Sequence, residues 1–460
     1  SEMHLDPKHL SWDLSLLHCR GYLFPTRKGY VIADLNQAND IFRNMTSIPT
    51  LFMRDMVDPM LEVLTSARTN PETNELVASF LSYSGQQRKS TGWFASRYDI
   101  QTGYRLVPFV LTLHAMKVTK DLEEGSHLVK VVPRITSEML EVLRNAGMIQ
   151  GKDKLTTLGL RVLQRGPGPF GIIHAYMPYM QVLKEKLTGK GSQTWVQRSK
   201  NIAASQDANR KTFEMANDTY DRFCQDHGVR CSIFIEHALG QGEATRQRLQ
   251  REGEERIQYF GADLEDAAID KAQELQRQGI LPKNMIFIRK ADIANPQTVI
   301  EAVKRAGFST ENSVMFVGNG FHEVRSQTNQ KIVDVFRQYC AAGILVIFTE
   351  ESALSDYDLM HTGWNTYHAG FRYVHELSGQ GLRPVFGTDR FGRHSWKICA
   401  SLGGYAVLSK YCAHTRTIYP FPKKGGYNPP VSMTYFCVPD SLARTLGYFP
   451  RNWSHTNDAL

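Results

Sequence analysis

The chain has 460 residues, 42% of them hydrophobic and 22% charged, with a formal net charge of +8. This length suffices for two or three domains, and the composition is that of a folded globular protein rather than a disordered or collagen-like one. No apolar run reaches the roughly 20 residues of a membrane helix, and the opening "SEMHLDPKHLSWDL" has no basic stretch followed by an apolar one, so a cytoplasmic protein without a membrane partner is expected. Seven cysteines, an odd number, are widely spaced with no C-x-x-C, which argues against a disulfide framework or structural zinc and fits a reducing compartment. The positive charge would suit acidic partners, but it is dispersed, and "RQRLQREGEER" mixes both signs. No nucleic-acid partner is expected.

Residues 1–125 read as mainly helical with irregular breaks, as in "NQANDIFRNM" and "PMLEVLTSA". Tyr104 to Val118 carries the broad apolar face of a buried helix. In residues 126–225, Ile135, Met139, Leu140 and Leu143 fall at helical spacing and Gly147 ends that helix. Met148-Ile149 starts a short strand, "GKDK" reverses it, and "LTTLG" opens a second strand or helix. Helix, strand, turn, strand is the ending of a winged-helix unit. A DNA reader would line its recognition helix with Lys and Arg; here Glu138 and Glu141 stand against Arg134 and Arg144. The unit is therefore read as a lid or dimerisation element, which allows a homodimer. "RGPGPFG" is a rigid turn, and 188–230 reads as one or two helices leading onward.

Residues 226–460 change rhythm. Five short strands rich in β-branched and aromatic residues alternate with helices, from "CSIFIEH" to "ILVIFTEES". This predicts a mostly parallel α/β sheet with right-handed crossovers. The tail reads as a helix and two strands with "KKGGYNPP" as the turn between them, an antiparallel hairpin ending the sheet. Three consecutive strand ends carry Gly240 with Gly242, Asp263, and Asp292. Glycines let backbone approach a ligand and the next helix offers N–H groups, while a carboxylate about 20 residues further on suits a ribose. Each also reads as a tight turn or helix cap; the series in order is the stronger signal. The fourth strand, "SVMFVGNGFHEVR", ends in Gly318-Asn319-Gly320 and then His322-Glu323. His322 can take a proton and Glu323 can orient it. After the fifth strand, His361, His368 and His375 recur seven apart with Gln380 beyond, either a lid or an aromatic-packed surface helix.

On these residues the chain resembles the class I S-adenosylmethionine-dependent methyltransferases. The layout over 104–460 is similar to the small-molecule O- and C-methyltransferases, and "MFVGNGFHEV" resembles the polyketide-synthase C-methyltransferases. The whole also resembles the metal-dependent methyltransferase domains of loading modules in the apratoxin and saxitoxin pathways. The resemblance implies a Rossmann-like, seven-stranded, mostly parallel core with a terminal antiparallel hairpin, preceded by a helical and winged-helix domain. It implies S-adenosylmethionine held by the Gly240–Gly242 loop, by Asp263 at the ribose and Asp292 at the adenine, with Glu236, Leu264, Ile293, Gly318 and Asn319 as neighbouring contacts. It makes His322 the catalytic histidine beside Glu323, and a divalent iron or manganese would rest on His322 and His368. The acceptor would be a small molecule or an acyl-carrier-protein-tethered one of natural-product type, methylated at carbon. Two departures stand out: Ala244 where a third glycine is usual, and Glu236 further from Gly240 than the family's acid. A metal-free O- or N-methyltransferase of a free metabolite, and a winged-helix regulator that only senses a ligand, are the alternatives. Residues 1–103 match no motif.

Overall fold

The computed structural model describes residues 4–44, 54–82, 95–190, 198–360, 365–417 and 430–449. His361, Trp364 and the turn at 423–429 therefore lie outside the described residues. The chain forms two compact units, Ser1–Ser205 and Gln206–Leu460.

In the first unit, residues from both sides of position 125 share a single core, from Met56 to Leu163. Met60, Val63 and Phe80 pack with Phe109 and Leu113, and these with Met139, Val142, Leu143 and Leu163. The apolar helix runs Arg97–Ala115, started by Ser96 and Asp99, which cap each other's backbone N–H groups. A hairpin of β1 (Leu23–Thr26) and β2 (Gly29–Ile32) precedes it. The sequence hid this hairpin because its strands are almost wholly exposed and show no alternation. The helix Ser137–Asn145, the two-residue strands β3 (Ile149–Gln150) and β4 (Lys154–Leu155), and the helix Thr157–Arg165 come in the expected order. Gly159 has no room for a side chain: a Cβ there would lie 2.0 Å from the Met148 carbonyl oxygen.

The second unit begins earlier than residue 226. The helix Arg198–His227 lays Phe213, Ala216, Tyr220 and Phe223 on the sheet, so its core belongs with the strands after it. The sheet strands are β5 (Ile233–His237), β6 (Gln258–Ala262), β7 (Ile286–Ile288), β8 (Ser313–Gly318), β9 (Leu345–Glu351), β10 (Tyr405–Val407), β11 (Ala413–Thr417) and β12 (Pro430–Pro439). Their order is β10-β12-β9-β8-β5-β6-β7, with β5 to β9 parallel and β12 antiparallel to β9. Counted from β5, the first five strands run 3-2-1-4-5 and the last strand is wedged inside β10. This is the mostly parallel, Rossmann-like class I methyltransferase arrangement with an antiparallel ending. The ending has one strand more than expected, because the turn Ser409–Tyr411 separates β10 from β11 and each pairs with its own half of β12.

Alternate strand residues face opposite sides, as strand geometry requires. Phe234, Tyr259, Val314, Phe316, Leu345 and Ile347 meet the long helix, while Ile235, Phe260, Met315, Val317, Val346 and Phe348 meet the helices Gln297–Arg305 and Asn329–Ala341. Both faces are covered, so the strands read as unbroken apolar runs. His237 pairs with Ala262 on one side and with Val317 on the other, which levels the carboxyl ends of β5, β6 and β8. A reversal of strand order between β5 and β8 opens a crevice at such ends.

Candidate active site

The turn after β5 is a left-handed series. Ala238, Gly240 and Gly242 have φ of 58°, 55° and 77°. Its backbone is that of three alternating glycines, and the missing one is at Ala238. Ala244, which the sequence reading took as the departure, is an ordinary buried residue in the helix Glu243–Glu252. Gly242 is required twice over, since a Cβ there would come 2.9 Å from Leu281.

Glu236, almost fully buried on β5, turns into the start of that helix. One carboxylate oxygen accepts from Ala244 N–H at 3.2 Å; the other accepts from Thr245 N–H at 2.7 Å and from its hydroxyl at 2.6 Å. Burial outweighs these bonds and pushes its carboxyl up to about 7. Glu236 thus holds the loop and the helix start, and its oxygens are occupied by the protein itself.

Asp263 ties the first two strand ends together. Its Oδ2 accepts from Gly240 N–H at 3.0 Å and its Oδ1 from Glu265 N–H at 2.9 Å. Asp292 caps its own turn, accepting from Ala294 N–H at 2.9 Å, and stays exposed. His237, which the sequence reading passed over, lies beneath both. Its Nε2–H donates to the Ala291 carbonyl at 3.0 Å, so Nδ1 accepts from the Tyr339 hydroxyl at 3.1 Å. Burial holds its pKa below the usual value, opposed by the bond to Ala291 and the charges of Asp263 and Asp292. Both aspartates therefore lie close enough to act on one imidazole. Leu264 is at the exposed rim, whereas Ile293 is a core residue.

The glycines that end β8 are explained by packing. A Cβ on Gly318 would meet the Phe213 ring at 2.4 Å, and one on Gly320 would meet Val317 at 2.6 Å and Ala238 at 3.2 Å. Asn319, at φ 53°, donates its N–H to the Thr349 carbonyl at 2.8 Å. This sharp exit puts His322 over the end of β9. There Glu350 accepts at one oxygen from Phe321 N–H at 2.6 Å and His322 N–H at 3.3 Å, and pairs at the other with His322 Nδ1 at 2.7 Å. Glu350 therefore takes the orienting role that the sequence reading gave to Glu323. Glu323 sits on the other side, 3.6 Å from Nε2, and is held by Gln380 and Arg325.

Burial alone would lower the His322 pKa, but the charge of Glu350 and the bonds from both glutamates lift it to about 10. His375 stacks edge-on to His322, ring centroids 5.2 Å apart. Its Nδ1–H donates to the Phe371 carbonyl at 2.7 Å, and burial with repulsion from His322 lowers its pKa to about 3. One imidazole is a buried cation between two carboxylates, and its neighbour is neutral.

The donor set does not fit iron or manganese on His322 and His368. Nδ1 of His322 is taken by Glu350, and the helix histidine packed against His322 is His375. Among the described residues no group of three His, Cys, Asp or Glu side chains converges to hold a metal ion.

No protein-family model matches the sequence, and no curated protein does. Solved structures with loose likeness include methyltransferases. The CurJ carbon methyltransferase is 14% identical, with 94% of this chain and 99% of that one covered, at a TM-score of 0.39. A putative O-methyltransferase from Nostoc punctiforme is 12% identical over 74% and 98%, at 0.47. Human N-acetylserotonin methyltransferase in complex with SAM is 10% identical over 74% and 96%, at 0.41. At such scores the likeness bears no weight on residue roles. Among the described residues no helix is long and apolar enough to cross a membrane.

Proposed function

We propose that this protein is an S-adenosylmethionine-dependent methyltransferase of a small or carrier-tethered acceptor, transferring to carbon with His322 as the base. The observation that carries the cofactor reading is Glu236. In a dinucleotide site the helix after the first strand meets a pyrophosphate with its free N–H groups. Here Glu236 already fills those of Ala244 and Thr245, so neither is left to a phosphate. The edge suits a nucleoside that carries no phosphate. Asp263, fixed by Gly240 and Glu265, offers its remaining lone pairs to ribose hydroxyls, and Asp292 stands at the rim for the base.

When bound, S-adenosylmethionine supplies an electrophilic methyl on a sulfonium. The chain's own part is to hold the acceptor and remove its proton. Glu350 fixes Nδ1 of His322, which leaves Nε2 to take a proton from an acidic C–H. A resting imidazolium must first lose its own proton, and a cation placed nearby opposes its charge and lowers its pKa. Glu350 behind the ring stabilises the imidazolium that forms as the C–H proton is taken. The test is incubation with S-adenosylmethionine and an acetoacetyl thioester. A mass gain of one methylene at carbon, lost in His322→Gln, supports the reading; gain at oxygen, or none with either protein, overturns it.

A further inference from the structure

A second hollow lies beyond the end of β9, in a part of the second unit that the cofactor reading leaves unused. It encloses about 560 Å³, within the range of small-molecule sites. Leu354, Val385 and Phe386 give it an apolar floor, and Arg372, Arg390 and Phe391 stand around it. Its floor is anchored to the end of β9: Ser352 bridges to Arg383, and Ala353 N–H donates to the Arg383 carbonyl at 2.9 Å. The helix that supplies Arg372 to its wall also carries the histidine that packs on His322. Arg372 and His375 are three residues apart on the helix Asn365–Leu377, about 4.5 Å along its axis, and His375 packs on His322. Glu376, the next residue, pairs with Arg393 of the hollow's wall.

The charges around it are of two kinds. Asp358 is taken up by the N–H and hydroxyl of Ser355, and Asp389 by the N–H groups of Phe391 and Arg393 and the Arg393 side chain. Asp356 serves two guanidiniums, Arg372 at 2.7 Å and Arg390 at 2.9 Å. Arg372 is buried, whereas the Arg390 side chain is 49% exposed and stacks on Phe391 with its guanidinium carbon 4.7 Å from the ring centre. Arg390 is the outer member of this trio, 49% exposed against 18% for Asp356 and 10% for Arg372, so a ligand's carboxylate can reach its guanidinium while Asp356 keeps Arg372. A guanidinium presents two parallel N–H groups to such a carboxylate.

We infer that this hollow is the acceptor's recognition pocket and that it selects an apolar acyl body ending in a carboxylate. The inference rests on the methyltransferase reading, since it takes the site beside His322 to be where the acceptor reacts. It adds the substrate class: the reacting carbon at His322 and an anionic end at Arg390, joined by a short apolar chain.

The test uses the full chain and two probes of equal length, octanoate and octan-1-ol, in competition with a fluorescent anilinonaphthalene sulfonate. Octanoate should displace the dye at a concentration about tenfold lower than octanol does. Arg390→Gln should erase that preference, raising the octanoate value about tenfold and leaving octanol unchanged, and Val385→Trp should weaken both. Equal displacement by both probes, or an unchanged octanoate value in Arg390→Gln, overturns the pocket. S-Adenosylhomocysteine binding, followed by calorimetry on the same samples, separates the two claims. Its absence sinks the methyltransferase reading, while its presence with no octanoate preference sinks only the pocket.

Discussion

On the β5–β6–β7 side of the sheet's carboxyl edge, carboxylates meet backbone: Glu236 takes the N–H groups of Ala244 and Thr245, Asp263 those of Gly240 and Glu265, and Asp292 that of Ala294. On the β8–β9 side Glu350 also takes the N–H groups of Phe321 and His322, but there side chains meet side chains as well: His322 with Glu350 and Glu323, Glu323 with Gln380, and Glu376 with Arg393. The first arrangement fixes a shape, because the chain path itself supplies the donors. The second fixes a charge state, because moving one proton alters every member of a buried network. A shaped rim suits binding, and a poised charge suits proton transfer.

The comparison breaks most visibly at His322. His322→Gln should lower methyl transfer about 10³-fold, in the range general-base removal costs, with S-adenosylhomocysteine affinity within about twofold of the parent by calorimetry. A variant that still turns over would remove the base from the account. Glu350→Gln should show what the charge network is worth. It leaves a buried cation without its charged partner, and the one oxygen that glutamine keeps can serve either the two backbone N–H groups or Nδ1 but not both, so a loss of about 3–5 kcal/mol in urea unfolding is expected. A loss under about 1 kcal/mol would mean that the imidazole is neutral in the folded protein.

The rim can be probed by pH. Folding raises the Glu236 pKa from 4.5 to about 7, so between those values the folded state keeps a proton the unfolded chain has shed. Stability contributed by this group therefore falls as pH rises through that window, by about 3 kcal/mol in all. Glu236→Gln should flatten the difference between unfolding free energies measured at the two ends. An identical slope in parent and variant would show that Glu236 is ionised throughout. The smallest effect belongs to Ala238, whose left-handed φ costs a residue with a Cβ roughly 1 kcal/mol. Ala238→Gly should raise stability by about that amount, and a destabilised variant would show that the Ala238 methyl's contact near Gly320 matters more than the strain.

How much of this was legible depends on how local each signal is. The strand-helix alternation and the three strand ends were readable because each is a contiguous stretch: "IEHALGQG", "YFGADLED" and "FIRKADIAN" carry their glycines and acids within a few residues of the strand. The Glu350 role was not, since the residue lies 28 positions from His322 and reads as the end of one more apolar strand; the only hint was an acid inside a fully buried run. His237 was hidden likewise, its partners Ala291 and Tyr339 arriving from other elements. The misplaced glycine shows a different limit. Backbone φ decides where a glycine is wanted, and an alanine in the left-handed region gives no sign of it in its letter. Cores are shared across sequence in the same hidden way: residues 60 and 163 fall in one cluster, and Phe213 in that of the sheet on its C-terminal side.

The division between rim and network is tested most directly by calorimetric titration of S-adenosylhomocysteine into the parent protein, His322→Gln and Asp263→Ala. The account predicts equal affinity in the first two and a loss of about tenfold to a hundredfold in Asp263→Ala, the cost of about 1–3 kcal/mol for charged hydrogen bonds removed. Undiminished binding by Asp263→Ala, or binding lost with His322 instead, would contradict it.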